Sequence, residues 1–290
     1  MLEVLATGPL TTVQDEGRVG LASSGVPRSG ACDRGAYRRG LRLVGTAPGA
    51  ASLEVTLGGL RVRALAPTTV ALTGARCPGV PWDAPVDLRA GDELHLGTPG
   101  AGLRSYLAVR GGVDVTAVLG SCSTCTLSGL GPPRLAAGDV LAAGADRLPM
   151  PGVDVAPVSG PPAGPLLLTA TPGPRADRVG EAGLAVLTGT VWVVGTDSDR
   201  VGVRLGGGVL EAAERWRGVE LPSEGVLRGA VQVPPSGGPV VFLADAPVTG
   251  GYPVVAYLVD DPLRSDVDRL AQARPGQQVR LRLDRGSLEA

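Results

Sequence analysis

The chain has 290 residues, 43% of them hydrophobic and only 3% aromatic, and a formal net charge of −1. That charge provides no electrostatic footprint for nucleic acid or an anionic membrane, and all 27 basic residues are arginines. Without lysine there is no P-loop, no Schiff-base amine and no residue on which biotin is carried, so any biotin must arrive on another protein.

This length favours two domains. With 45 glycines and 26 prolines punctuating short apolar runs, the chain reads as β-rich and folded, with a core of Val, Leu and Ala. The first residues lack a basic n-region, and no apolar run reaches membrane-spanning length. A cytoplasmic protein with four reduced cysteines is therefore expected.

In chain order, the first strand signal lies around Val4. From Gln14 to Asp33 the sequence is polar and glycine-rich, with little apolar content to bury. Each glycine there adds backbone entropy that folding removes, and loops of this make-up cradle ligands with backbone N–H groups. An ordinary turn-rich surface loop has the same composition. Gln14 and Arg18 are candidate substrate-binding residues, with an Asp15–Arg18 salt bridge as the alternative for that pair. Gly25, Pro27, Ser29 and Gly30 follow: the proline stiffens the chain, the serine offers a hydroxyl and the glycines free the backbone. Asp33 reads as the N-cap of a helix carrying Tyr37, Leu41 and Val44 on one face and ended by Gly45, with a role as general base as the alternative.

Strands are expected next at 52–57, 60–64, 69–72, 92–96 and 105–109. His95, the only histidine, alternates with Leu94 and Leu96 and so faces away from a strand's core; any catalysis here runs without imidazole. Cys122-Ser-Thr-Cys125 has zinc-knuckle or redox spacing, but no second pair exists, so no metal site is expected. The tract 148–165 carries six prolines and no periodicity. It reads as a linker between a domain at 1–150 and a second at 163–290.

The second half repeats the pattern, with strands at 166–169, 190–194, 201–205, 240–244, 254–259 and 279–283 and a helix over 266–273 capped by Ser265. Arg200 and Arg204 are even-spaced, so both can point to one face as an anion-binding pair, or as a solvated strand face. The stretch 245–253 offers the Asp245 carboxylate, the Thr249 hydroxyl, the backbone of Gly250 and Gly251, and the Tyr252 ring for stacking on a flat ligand or on Pro253. Asp33, Asp245 and Thr249 are the candidate catalytic residues. The two glycine-rich loops are expected to meet at one site.

Leu10-Thr-Thr-Val-Gln-Asp-Glu-Gly-Arg18 followed by Gly25-Val-Pro-Arg-Ser-Gly-Ala-Cys-Asp33 resembles the opening of the biotin-dependent carboxyltransferase-like family. The resemblance continues through Leu53-Glu-Val-Thr-Leu-Gly-Gly59, Tyr106-Leu-Ala-Val-Arg-Gly-Gly-Val-Asp114, Asp197-Ser-Asp-Arg200, Gly229-Ala-Val-Gln-Val-Pro-Pro235 and Thr249-Gly-Gly-Tyr-Pro253. It implies a mainly β fold of two cyclophilin-like β-barrel domains with a few short helices. It also implies work on an amide-like substrate, which in this family includes urea, allophanate and the lactam 5-oxoproline. The leading expectation is the C component of an ATP-dependent 5-oxoprolinase, acting with homologues of the A and B components, with ATP used by the complex. The alternatives are carboxyl transfer from carboxybiotin to a urea-like nitrogen, and a non-catalytic regulatory partner of a homologue of the B component. The chain departs from the family pattern at Cys122, where arginine is expected, at Cys32 in place of methionine, and at Leu21 and Val203 in place of aromatics.

Overall fold

A computed structural model describes residues 1–284. They divide into two compact units: Met1–Gly20 with Arg28–Ala163, and Leu21–Pro27 with Gly164 onward. Among these residues no helix is long and apolar enough to cross a membrane.

The first unit contains, in chain order, β1 (Leu2–Thr7), β2 (Leu10–Gln14), α1 (Arg34–Leu43), β3 (Ser52–Thr56), β4 (Leu60–Ala64), β5 (Thr68–Gly74), β6 (Pro85–Leu88), β7 (Glu93–His95), β8 (Arg104–Val109), β9 (Gly111–Asp114) and β10 (Val140–Asp146). The strands form two five-stranded sheets, ordered β7-β4-β1-β10-β9 and β2-β3-β8-β5-β6. The two sheets enclose a shared core that includes Leu53, Val55, Leu60, Val62, Leu72 and Leu107. Period-2 alternation decides which face each strand buries: on β4, Leu60, Val62 and Ala64 point inward and Arg61 outward. Every residue of β8 is buried, because Leu107 faces the inter-sheet core while Tyr106 and Ala108 are covered by α1. That helix lies close because Gly40 has no side chain. A Cβ there would stand 3.1 Å from the Ala108 Cβ.

The cap of α1 is the expected one: Asp33 Oδ1 accepts the Ala36 N–H at 2.8 Å. Beneath it runs a buried polar chain. The Tyr106 hydroxyl accepts the Asp33 N–H and donates to Glu54 Oε2, both at 2.7 Å, and that oxygen also takes the Cys32 N–H at 2.9 Å. Burial first, then the Glu54 charge, pushes the Tyr106 phenol well above its ordinary pKa, so it stays a donor. His95 is exposed on β7, opposite Arg61. The proline-rich tract expected as a linker has no repeating structure, and as far as Ala163 it belongs to the first unit. There the Leu148 N–H bonds to Gly45 and the Ala156 N–H to Asp83.

The second unit contains β11 (Leu166–Pro172), α2 (Gly180–Gly189), β12 (Trp192–Val194), β13 (Gly202–Gly206), β14 (Glu224–Gly225), β15 (Ala230–Gln232), β16 (Val240–Phe242), β17 (Thr249–Gly250), β18 (Val254–Leu258), α3 (Asp266–Ala271) and β19 (Gln278–Leu283). Seven strands close into a barrel in the order β11-β18-β15-β16-β13-β12-β19, and β14 pairs with β17 as a separate small sheet. Closure is made by the parallel pairing of β11 with β19, from Leu166↔Val279 to Ala170↔Leu283. Ser265 caps α3 as expected, accepting the Asp268 N–H.

Arg200 precedes β13, and its side chain turns inward instead of sharing a strand face with Arg204. Its Nε and Nη2 donate to the two oxygens of Asp245, at 3.0 and 3.1 Å. Both residues are buried, and the Asp245 N–H bonds to the Arg200 carbonyl. The pair thus staples the start of β13 to the chain leaving β16. Removing one member of a buried pair strands the other charge, whereas an apolar pair of similar volume is tolerated. Arg200→Met is expected to cost about 3–5 kcal/mol in denaturant unfolding, and Arg200→Met with Asp245→Leu to recover most of it. A double variant no more stable than the single one would show that the pair is not a self-contained staple.

Candidate functional site

In the first unit the polar residues gather around the turn that follows β2. Gln14 is the last residue of β2, so it has a fixed strand position rather than a loop one. Its Nε2 donates to Thr12 Oγ1 at 3.0 Å and to the Thr124 carbonyl at 2.9 Å, and the Ser29 hydroxyl donates to that same carbonyl. The Asp15 carboxylate accepts from the Gly17 N–H at 2.7 Å, the Cys122 N–H at 2.6 Å, the Ser121 hydroxyl at 2.7 Å and the Ser123 hydroxyl. Arg18 does not pair with Asp15. Its Nε donates to the Val118 carbonyl at 3.1 Å and its Nη2 to the Ser123 carbonyl at 2.8 Å.

Gln14 and Arg18 are fully enclosed, yet Gln14 Oε1 and Arg18 Nη1 have no hydrogen-bond partner among the described residues. One is an acceptor and the other a donor, and they flank the Ser123–Thr124 peptide. Two glycines make the turn possible. Gly17 has φ +80°, and a Cβ there would lie 2.5 Å from the Ser29 carbonyl oxygen; Gly30 has φ +97° and lies against the backbone of residues 15–17. The segment 121–124, whose Cys-x-x-Cys spacing carried no functional weight in the sequence, supplies half of this cluster. Cys125 is buried and Cys122 partly so, and both are free thiols. Asp33 sits close by in sequence but is engaged as the α1 cap.

The expected loop is split between the units: Ser29, Gly30 and Asp33 belong to the first, whereas Gly25 and Pro27 belong to the second. Gly25 ends a short 3-10 turn at Ala22–Ser24 with φ +74°.

The second unit holds a pocket of about 880 Å³. Its apolar wall is built from Leu210, Trp216, Val233, Pro235, Tyr252 and Pro253, and Arg178, Glu211, Arg217 and Glu220 stand around it. Of the predicted stretch 245–253, Gly251, Tyr252 and Pro253 line this pocket. Thr249 is exposed on β17, and Asp245 is committed to Arg200. Arg204 pairs with Asp197 at 2.9 Å on the surface. The wall carrying Tyr252 is held from behind by Gln232, whose Nε2 donates to the Tyr252 carbonyl at 3.1 Å, and by the Val233 N–H to the Pro253 carbonyl. Trp216 and the 209–221 segment were not anticipated. A lone tryptophan among charged residues carries no periodic signal.

Among the described residues, no group of three or more metal-capable side chains is placed to hold an ion. The chemistry on offer is hydrogen bonding by backbone and guanidinium, with aromatic and proline surface for a flat, partly apolar ligand.

Each of the two units is built mainly of β-strands. Residues 24–283 match the family "Carboxyltransferase domain, subdomain A and B", and the chain belongs to it. It is 38% identical over 291 residues to the C component of 5-oxoprolinase from Escherichia coli, covering 96% of this chain and 90% of that one. It is 31% identical to urea amidolyase of Lachancea kluyveri, covering 96% of this chain but 16% of that protein. The crystal structure of TTHA0988 superposes with a TM-score of 0.85 at 35% identity, over 97% of this chain and 55% of that one. The chain therefore spans about half of that structure's length.

Two outcomes test the site's construction. A Cβ at Gly250 would stand 2.5 Å from Gln232 Nε2, whereas one at Gly251 has nothing nearer than 3.8 Å. Gly250→Ala is expected to cost about 1–2 kcal/mol by displacing the glutamine that holds Tyr252, and Gly251→Ala less than about 0.5 kcal/mol. Equal losses in thermal unfolding would refute this reading of the wall. The second outcome concerns Glu16, which clamps the 15–18 turn to α1 through two 2.7 Å bonds from Arg38. Burial acts to raise its pKa, but the Arg38 hydrogen bonds and charge, helped by Arg34 and Arg28, leave it below the ordinary value of 4.5. A lowered acid stabilises the fold above its unfolded-state pKa, and that contribution is lost as pH falls through the folded one. The Tm advantage of wild type over Glu16→Gln should hold near neutrality and shrink below about pH 4.5. An advantage unchanged down to pH 3 would contradict the clamp.

Proposed function

We propose that this chain is the C-type component of an ATP-dependent 5-oxoprolinase, opening the lactam of 5-oxoproline to L-glutamate together with A and B components. The observation that carries this is coverage: the C component from E. coli matches over 96% of this chain and 90% of that one. A second C component, from Haemophilus influenzae, matches at 32%.

The chemistry suits the site. Amide resonance makes the lactam carbonyl a poor electrophile, and donors to its oxygen lower the barrier to attack by water. Backbone N–H groups at glycines supply such donors without a Cβ in the way. Nothing in the described residues suits a triphosphate: lysine is absent, and the Gly206–Gly208 turn opens no helix. ATP is accordingly a substrate of the complex rather than a resident of a P-loop in this chain. Covalent biotin has no lysine to occupy.

The match to urea amidolyase favours a second reading, carboxyl transfer from a carboxybiotin carried by another protein to an amide nitrogen. One experiment separates the two. The chain is purified alone and together with homologues of the A and B components, and glutamate formed from 5-oxoproline with ATP is measured. Activity is expected only from the full set. Full activity from this chain alone would refute the need for partners, inactivity of the full set would refute the reaction, and incorporation of labelled bicarbonate into product would favour carboxyl transfer.

A further inference from the structure

Among the described residues, the second unit's pocket has one arginine that forms no salt bridge, although its charge is felt at Glu224. Arg178 lines it, with its guanidinium carbon 4.0 Å from the centroid of the Trp216 ring. Its Nη1 donates to the Val219 carbonyl at 3.2 Å, and among the described residues no carboxylate lies within ion-pair distance of it. The neighbouring arginines differ: Arg175 pairs with Glu224, Arg215 with Asp177, and Arg217 with Glu211 and Glu214. Stacking on an indole fixes the plane of a guanidinium while using none of its N–H donors. A planar fork held in this way and left unpaired is pre-organised for a bidentate carboxylate.

Two further features of the same pocket suit an amide. Gly218 and Gly251 both line it, and neither backbone N–H has an acceptor among the described residues. Their backbones are also uncrowded: a Cβ at Gly218 would meet nothing within 4 Å, and one at Gly251 only atoms at 3.8 Å. The same pocket is also lined by Leu210, Val233, Pro235 and the half-exposed ring of Tyr252, a surface for a small apolar ring.

We propose that this pocket binds a small lactam or amide that carries a carboxylate. The carboxylate sits on Arg178, the ring lies against Tyr252 and Pro235, and the amide oxygen accepts from the Gly218 or Gly251 N–H. This rests on the 5-oxoprolinase reading for the choice of 5-oxoproline, a five-membered lactam with one carboxylate. A pocket of about 880 Å³ is several times larger than one such ring, so the polar contacts and not shape set its position. Arg178 is then the residue that separates 5-oxoproline from the uncharged lactam.

The test uses the full chain, with binding measured by calorimetry or ligand-observed NMR. The probes are 5-oxoproline, 2-pyrrolidinone, which lacks the carboxylate, and proline, which lacks the lactam carbonyl. 5-oxoproline is expected to bind at least tenfold more tightly than either. Arg178→Gln should remove that preference over 2-pyrrolidinone, Arg178→Lys should restore part of it, and Arg280→Gln, on the exposed side of β19, should change nothing. Each variant's Tm is recorded, so that loss of fold is not read as loss of binding. In the reconstituted complex, Arg178→Gln should raise KM for 5-oxoproline tenfold or more. A complex that turns over 5-oxoproline with KM indifferent to Arg178→Gln overturns the pocket and leaves the functional reading standing. A chain that binds 5-oxoproline through Arg178 in a complex with no turnover does the reverse. Equal affinity for 5-oxoproline and 2-pyrrolidinone overturns the proposal directly.

Discussion

One enclosed carboxylate organises the polar half of the first unit. Asp15 gathers two hydroxyls and two backbone N–H groups from segments about a hundred residues apart, joining the turn after β2 to Ser121–Ser123. A buried carboxylate is costly unless hydrogen-bonded, and here both of its oxygens accept. Neither segment has the apolar content to hold itself in place, so the anion does what a small hydrophobic core would do elsewhere. The positions of Gln14, Arg18 and Ser29 follow from it, since all three lean on carbonyls of the segment that Asp15 fixes.

The second unit solves a different problem. A closed barrel removes sheet edges and makes a rigid frame, and the pocket is built on what lies outside its strands: Arg178 and Val179, the 209–221 segment, the turn after β15 and the stretch 251–253 that leads into β18. Division of labour between a stiff frame and adaptable connections is a common route to ligand sites. Here the connection nearest the ligand wall is itself tied down by Gln232 and by the Arg175–Glu224 pair.

Local signals in the sequence were reliable where physics is local. The span of β4, the Asp33 and Ser265 caps and the outward face of His95 all follow from spacing and side-chain type. Helix α2 was invisible because Gly180, Gly183 and Gly189 sit in it and its apolar residues form no strong stripe. Arg200 and Arg204 have strand spacing, but β13 begins at Gly202, so period-2 logic never applied to Arg200; the distant Asp245 decided its direction. Ser121 and Ser123 carried no signal, since their meaning is an oxygen supplied from residue 15. The proline tract reads as a linker because it lacks periodicity, and only its few N–H bonds reveal that it is strapped to the first unit. Family resemblance supplied what residue patterns could not, membership of the carboxyltransferase-domain family over residues 24–283.

The barrel's seam has a consequence for how this unit is made. Its first strand, β11, is locked by its last, β19, running in the same direction, so no hairpin can zip them together and the ring stays open until the whole segment between has been synthesised. During that interval β11 and β12 each present an unpaired edge. Nascent chains in this state are the ones that recruit other strands. The unit's exposure to misassembly is therefore greatest on the ribosome and ends abruptly when β19 docks, which makes the final strand a checkpoint for maturation.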